Sequence, residues 1–217
     1  MQINQLKYLG LFTATLLATL LFVSSTVNAQ RIKSAPLSWG LKGGVNLATL
    51  YGDDVNDTEI ATGFNGGLFF SYAFSPRLSL QPEMLFSMKG AELDNSVSGQ
   101  ETTTDYELGY LEVPVLFKYH LVTGNTLHPN ILVGPAIGFK LYGNANDRDI
   151  DDEIQDAEFG LTFGGGLDAE VASSPTDFIQ TVGLDLRYTL GLTDVFDIAG
   201  DPEAKNRVFT IALAVGF

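Results

Sequence analysis

Cysteine is absent from this chain of 217 residues, which excludes both a disulfide scaffold and metal sites with cysteine ligands. Basic residues are few, 12 against 26 acidic ones, and the net charge is −14. Nucleic acid needs a basic surface, so we predict that it is not a partner. After residue 29 no apolar run is long enough for a transmembrane helix. If the rest of the chain sits in a membrane, it has to cross as strands.

Catalytic motifs are also missing. The sequence has no G-x-S-x-G, no P-loop and no H-E-x-x-H. Its two histidines, His120 and His128, fall in one connection between predicted strands, and this leaves the long loops without a histidine base. We therefore interpret the protein as not an enzyme, and we predict no cofactor.

The N-terminus carries a targeting segment. Lys7 precedes an uncharged run from Leu9 to Val23, and Val27 and Ala29 stand where small residues precede a cleavage site. An uncleaved anchor is the alternative, although the run is short for a spanning helix. We predict a signal peptide over 1–29, a short N-terminal segment over 30–37 and a β-barrel domain over 38–217.

Alternation of apolar residues with small or polar ones recurs in eight segments. These segments are 38–51, 62–74, 78–90, 110–119, 131–142, 159–171, 180–190 and 207–217. A tilted strand needs about 9 to 11 residues to cross a bilayer, and each segment is long enough. The pattern predicts an all-β fold, an eight-stranded antiparallel up-and-down transmembrane barrel.

The predicted connections differ in length. Four are long and polar, at 52–59, 90–107, 143–158 and 192–206, and they hold most of the 26 acidic residues. Short turns at one end and long loops at the other are typical of outer-membrane barrels, whose short turns face the periplasm. We therefore expect long acidic extracellular loops, a location in the outer membrane and contact with its lipid.

The two faces of the wall allow two kinds of barrel. A soluble periplasmic barrel of the lipocalin type would line a cavity for a hydrophobic ligand with its apolar face. A transmembrane barrel would turn that face to lipid and the polar face inward. The polar face favours the second kind, because it is mostly Gly, Ala, Ser and Thr and its few charges balance. Buried charges need partners, so we predict an ion-pair network in the lumen. Its members are Lys42, Glu83, Lys89, Glu112, Lys118, Lys140, Asp168, Glu170, Asp185 and Arg187.

Aromatic residues cluster near the ends of the predicted strands, as in the girdles of membrane barrels. They are Tyr51, Phe64, Phe74, Tyr106, Tyr110, Tyr119, Tyr142, Phe209 and Phe217. Phe217 also ends the last strand, where a terminal aromatic resembles the signal that the barrel-assembly machinery reads. We predict that machinery as a partner.

One acidic loop raises the question of calcium. Asp147, Asp149, Asp151 and Glu158 stand at positions one, three, five and twelve of a calcium-loop pattern, whose carboxylate oxygens suit a hard cation. Asp152 replaces the glycine that such loops need at position six. A solvated acidic loop without metal is therefore our main interpretation, and the calcium site is the alternative.

Several motifs resemble one family. "YLEVPVLFKY", "GPAIGFKL", "FGLTFGGGLDAEV", "DLRYTLGLTDVF" and "RVFTIALAVGF", spread from Trp39 to Phe217, resemble the PorT-like outer-membrane β-barrel domain of Gram-negative bacteria. The resemblance implies a small outer-membrane barrel. We expect a monomer with a structural or interaction role, a lumen filled by side chains, and an envelope protein as partner through the acidic loops. An accessory subunit of a secretion and maturation apparatus is the alternative that the resemblance adds.

Overall fold

The computed structural model describes residues 37–52, 58–97, 100–121, 126–145, 148–150, 154–172, 174, 177–195 and 204–217. Its eight long strands are β1 Leu37–Tyr51, β2 Ala61–Ala73, β3 Leu78–Val97, β4 Gln100–His120, β5 Leu127–Ala145, β6 Ala157–Glu170, β7 Thr181–Gly191 and β8 Lys205–Gly216. Two-residue strands, Thr58–Glu59 and Arg148–Asp149, pair with β3 and β5. No helix long and apolar enough to cross a membrane occurs in these ranges. The predicted signal peptide lies outside them, and the predicted domain boundaries stay a prediction.

The eight strands close into an antiparallel barrel. Each strand pairs with its neighbours in sequence, and β1 also pairs with β8. This seam runs from Gly40 opposite Gly216 to Tyr51 opposite Lys205. Closure satisfies the backbone of every strand by pairing within the sheet, which a lipid environment requires. The prediction of an eight-stranded up-and-down barrel is confirmed.

The prediction of a long loop at 90–107 is wrong. β3 and β4 continue there as a hairpin, paired from Gly90 opposite Glu107 to Val97 opposite Gln100. Polar residues stand at both odd and even positions between 91 and 106, so the sequence shows no period-two alternation to mark a strand. Three consecutive threonines at 102–104 were a weaker signal for extended backbone.

The apolar face of the wall points outward. Leu41, Ile131 and Leu213 are 50%, 52% and 61% exposed, whereas Lys42, the neighbour of Leu41, is 5% exposed. An apolar surface that surrounds the whole barrel is costly in water and matches hydrocarbon. The alternative of a soluble lipocalin-like barrel, with the apolar face inside, is therefore wrong.

The prediction that Tyr110 belongs to the aromatic girdle is also wrong. Tyr110 is 1% exposed and lies inside the barrel, because it shares the inward-facing parity of Glu112 and Lys118 on β4. The side chain of Tyr106 lies outside the described residues. A bulge follows at Tyr110, which pairs with Lys140 while its neighbour Gly109 pairs with Tyr142. The bulge reverses the inward-facing parity of β5 beyond this point.

Candidate functional site: the barrel lumen

The centre of the lumen is filled by a cluster of four charged side chains, Lys42, Glu83, Asp185 and Arg187, which we call the central cluster. The Arg187 guanidinium donates two hydrogen bonds to the Glu83 carboxylate, from Nη1 at 2.6 Å and from Nη2 at 2.8 Å. Nη2 also donates to Asp185 Oδ2 at 2.7 Å. Lys42 Nζ lies 2.7 Å from both Glu83 Oε1 and Asp185 Oδ2. Two positive and two negative charges therefore neutralise one another across the barrel.

Strand periodicity brings these side chains together. Asp185 and Arg187 are two residues apart on β7, so both point into the lumen, and Lys42 and Glu83 enter from β1 and β3. Gly164 on β6 pairs with Arg187. A Cβ atom at residue 164 would lie 2.2 Å from the Leu186 carbonyl oxygen and 2.9 Å from the Arg187 Cα. The strands can approach this closely only because residue 164 has no side chain.

A neutral polar layer adjoins the central cluster. Asn46 Oδ1 accepts hydrogen bonds from Asn65 Nδ2 at 2.6 Å and from Thr210 Oγ1 at 2.9 Å, and Asn46 Nδ2 donates to Ser87 Oγ at 2.9 Å. Asn46, Asn65 and Thr210 stand at polar positions of the alternating segments, but the sequence analysis gave them no role. The signal was present, since side chains on one face of neighbouring strands are within hydrogen-bonding reach.

A second charged group, the outer cluster, lies towards the long-loop end. Lys89 Nζ contacts Glu112 Oε1 at 2.5 Å and Glu158 Oε2 at 3.2 Å, and Asn206 Nδ2 donates to Glu158 Oε2 at 2.9 Å. The Lys89 ammonium also lies 4.8 Å from the centroid of the Tyr110 ring, a cation–π contact. Tyr110 therefore belongs to the lumen lining that sequence reasoning missed.

A third charged group, the inner cluster, lies towards the short-turn end. Lys118 Nζ contacts Asp168 Oδ2 at 2.8 Å, and Asn130 Nδ2 donates to the same oxygen at 3.0 Å. His120 Nε2 lies 3.3 Å from Asp168 Oδ2, and His128 Nε2 lies 3.2 Å from Glu170 Oε1. Both histidines thus face carboxylates on β6. The signal was their position at the ends of adjacent strands.

Lys140 and Glu170 sit apart from the deep lumen. Lys140 Nζ lies 3.3 Å from Asp156 Oδ1, on an exposed side chain, and donates to the Ile154 carbonyl oxygen at 2.9 Å. The Glu170 side chain is 60% exposed at the short-turn end. The other eight residues of the predicted network fall into the central, outer and inner clusters described above.

The two ends of the lumen are closed to different degrees. Leu50, Leu108, Tyr110, Ile150, Ile154 and Val195 pack together at the long-loop end, each at most 4% exposed, and we call this group the apolar cap. The short-turn end instead opens into a cavity of about 210 Å³, the vestibule, lined among others by Lys42, Lys118, His120, Asp168, Glu170 and Asp185. The lumen is therefore accessible from the short-turn end.

The structure places one of the four predicted calcium ligands. The Glu158 carboxylate lies inside the barrel against Lys89 and Asn206. Asp147, Asp151 and the side chain of Asp149 lie outside the described residues. Among the residues that are described, no three His, Asp or Glu side chains are grouped to hold a metal ion.

Phe217, the predicted assembly signal, extends the seam by one residue. Its backbone N–H donates to the Trp39 carbonyl oxygen at 2.8 Å. Its ring centroid lies 4.9 Å from that of Trp39 and 4.6 Å from that of Phe178. Phe178 is 76% exposed, so the three rings form an aromatic corner at the short-turn end. Its recognition by assembly machinery stays a prediction.

Comparison with known proteins places this barrel in a family. A family model described as an outer membrane protein beta-barrel domain matches residues 28–197. The crystal structure of Neisserial surface protein A, 14% identical, matches with a TM-score of 0.52 over 84% of this chain and 100% of that chain. OprG from Pseudomonas aeruginosa is 11% identical, over 83% of this chain and 94% of that chain, with a TM-score of 0.46. No curated protein matches the sequence.

The likeness to Neisserial surface protein A shows a shared fold, since the identity is too low to carry more. The family match spans most of the chain and extends to residue 197, through seven of the eight strands. The narrower PorT-like membership stays a prediction. This chain belongs to the outer membrane protein beta-barrel domain family.

Proposed function

We propose that this small outer-membrane barrel is neither an open pore nor an enzyme, and that it has a structural or interaction role carried by its extracellular loops. The observation that carries the proposal is the central cluster, in which Lys42, Glu83, Asp185 and Arg187 bond to one another across the lumen. The apolar cap adds a second obstruction at the extracellular end.

Energetics favour a closed lumen. An ion that crossed the central cluster would have to separate buried pairs and leave single charges without partners, which costs several kcal/mol for each charge. Eight strands enclose a space that side chains alone can fill. Buried side chains at three levels supply that filling here, with Asn46 and its partners between the central and outer clusters.

The surface that we propose for interaction is formed by the long connections. Residues 52–59, 143–158 and 192–206, with the tip of the β3–β4 hairpin, carry most of the 26 acidic residues. On the outer surface they would attract an envelope protein with a basic face, or the divalent cations that bridge lipopolysaccharide. An accessory role in secretion is the second proposal, supported by the sequence resemblance to PorT-like barrels.

Conductance in planar bilayers tests the closed lumen. We expect no resolved current steps from the wild-type barrel, and steps from E83A/R187A, which removes one positive and one negative charge and empties the centre of the lumen. Heat-modifiable electrophoretic mobility shows whether each variant forms a closed barrel. Regular wild-type steps of the size of an open pore would overturn the proposal.

Cross-linking on intact cells tests the interaction role. The variant D53N/D54N/D57N neutralises one predicted extracellular loop, and D177N neutralises an acidic residue in a short turn at the other end. We expect the loop variant to lose the cross-linked envelope protein and the turn variant to keep it. Equal recovery with both variants, or no cross-linked protein with the wild type, would contradict the proposal.

A further inference from the structure

Arg207 differs from the other basic residues of the barrel wall in its surroundings. The eight long strands contain seven lysine and arginine residues, and five of these side chains are at most 11% exposed and contact a carboxylate. Arg207 is exposed, and none of the described acidic residues forms an ion pair with it. It has the parity of Ile211 and Leu213 on β8, so its side chain stands on the lipid-facing surface of the wall.

The height of Arg207 on the wall follows from strand geometry. Phe217, ten residues further along the chain, belongs to the aromatic corner at the short-turn end. A strand rises about 3.3 Å per residue and tilts by about 40° in such barrels, so these ten residues span roughly 25 Å along the barrel axis. The apolar band of an outer-membrane barrel has the same height, about 25 Å, and aromatic girdles mark its edges. Arg207 therefore stands at the far edge of the hydrocarbon layer, at the level of the lipid headgroups.

An aromatic ring holds the Arg207 side chain in place. Its guanidinium lies 3.9 Å from the centroid of the Tyr51 ring, a cation–π contact, and Tyr51 Oη donates a hydrogen bond to the Gly191 carbonyl oxygen at 2.7 Å. The guanidinium has five N–H donors, and no oxygen of the described residues accepts a hydrogen bond from them. The group is thus positioned by its neighbours while its donors stay available for a ligand.

Lys205 brings a second positive charge to the same place. It precedes Arg207 by two residues on β8, so it shares the outward parity, and it pairs with Tyr51 on β1. Its Nζ atom lies 3.9 Å from Asp194 Oδ1, which is beyond hydrogen-bonding distance, and its side chain is 28% exposed. Two neighbouring cations at the headgroup level suit an anionic lipid.

We propose that Arg207 and Lys205 bind a phosphate monoester of lipid A, the membrane anchor of lipopolysaccharide in the outer leaflet. The planar guanidinium matches two oxygens of a phosphate at once, and Lys205 adds a second charge. A phosphate monoester carries about −1.5 to −2 charges at pH 7, which both cations together balance. The acyl chains would lie against Leu190 and Phe209, the neighbours of Arg207 on the lipid-facing surface. The site rests on the predicted orientation, with the long loops outside, and does not depend on the protein partner proposed above.

Native mass spectrometry of the purified full barrel in detergent tests the site. Lipid A is titrated against the wild type, R207A, K205A and R207K, and R77A is the matched control because Arg77 is an exposed arginine at the short-turn end. We expect R207A to weaken lipid A binding about tenfold and K205A about threefold, since a paired, charge-assisted contact is stronger than one exposed charge. R207K should lose less than R207A, and R77A should bind as the wild type does. Heat-modifiable mobility verifies that each variant folds.

Two further arms separate this site from other ways of holding a lipid. Dipalmitoyl phosphatidylglycerol, whose phosphodiester carries a single charge, replaces lipid A in one arm and should bind more weakly. EDTA removes divalent cations in the other arm and should leave lipid A binding unchanged, because both cations of the site belong to the protein.

Three results would overturn the proposal. The first is lipid A binding that does not differ between R207A and R77A. The second is equal affinity of the wild type for phosphatidylglycerol and lipid A, which would assign the site to a phospholipid. The third is loss of lipid A binding with EDTA in the wild type and R207A alike, which would assign the lipid to divalent cations held by the acidic loops.

Discussion

The two ends of the lumen differ in the chemistry of their side chains and in their access to water. At the long-loop end, Leu108, Ile150 and Ile154 belong to an apolar cap whose members are at most 4% exposed. At the short-turn end, Lys118 and Asp168 pair beside an open vestibule. The difference teaches that one narrow barrel can exclude water at one end and admit it at the other while its strands keep the same alternation.

The boundary between these two regions is the central cluster. Its side chains are at most 5% exposed, so each charge depends on its partners rather than on water. The inner cluster has the same kinds of group, but the Asp168 side chain is 18% exposed and the vestibule provides solvent. We therefore expect the same kind of substitution to lower the free energy of unfolding most at the centre of the lumen and least at its rims.

Removal of the central guanidinium should have the largest effect. R187A leaves Glu83 buried without its two-pronged partner, and we expect the free energy of unfolding to fall by about 3–5 kcal/mol. R187K keeps the charge but not the paired hydrogen bonds and should lose less. Urea unfolding in lipid, followed by the fluorescence of Trp39, the single tryptophan, measures both variants. A loss below 1 kcal/mol in R187A would show that the central cluster is not the boundary.

A cavity in the apolar cap should have the next largest effect. L108A removes a side chain that is 1% exposed, and we expect a loss of about 2–4 kcal/mol from lost contacts and the cavity left behind. L213A is the matched control on the lipid-facing surface, where Leu213 is 61% exposed and lipid can fill the space. Equal losses of unfolding free energy in the two variants would mean that the cap is not a packed core.

The loss of a lysine should destabilise the barrel less in the inner cluster than in the central cluster. K118M leaves Asp168 with Asn130 and His120 as neighbours and with water from the vestibule, so we expect a loss of about 1–2 kcal/mol. K42M, which removes a lysine shared by Glu83 and Asp185, is the matched variant at the centre. A larger loss of unfolding free energy in K118M than in K42M would reverse the comparison between the two regions.

The smallest effect is expected at the rim of the long-loop end. The Arg207 guanidinium lies 3.9 Å from the centroid of the Tyr51 ring, and Arg207 is exposed. R207A should lower the free energy of unfolding by about 0.5–1 kcal/mol. The same unfolding measurement with R207K should show partial retention of this contact. A loss of unfolding free energy above 2 kcal/mol would show that this rim contributes as much to stability as the apolar cap.

Alternation within strands made much of this structure predictable. It identified the eight strands and the inward positions of Lys42, Glu83, Asp185 and Arg187, because period-two burial depends only on neighbours in the sequence. It did not predict the hairpin extension at 91–106, where polar residues occupy both parities. It also did not predict the bulge opposite Tyr110, because the register between two strands cannot be derived from the sequence of one strand alone.

The candidate site was predictable in its members more than in its contacts. The balance of inward charges indicated a network, but which lysine meets which carboxylate depends on strand order and shear. Lys140 shows this limit, because it contacts Asp156 and the Ile154 carbonyl rather than a lumen carboxylate. The histidines show it too, since their neighbours Asp168 and Glu170 lie some 40 to 50 residues away in sequence.

The seam between β1 and β8 has a consequence for the order of folding. It joins Gly40 to Gly216, so the contacts that close the barrel span nearly the whole described chain. Closing so long a loop is entropically unfavourable until the strands between are in place, and folds dominated by such contacts form slowly. A chain that stops short of β8 would therefore keep an open edge on β1. Completion of the barrel has to wait until β8, the twelve residues Lys205–Gly216, is available.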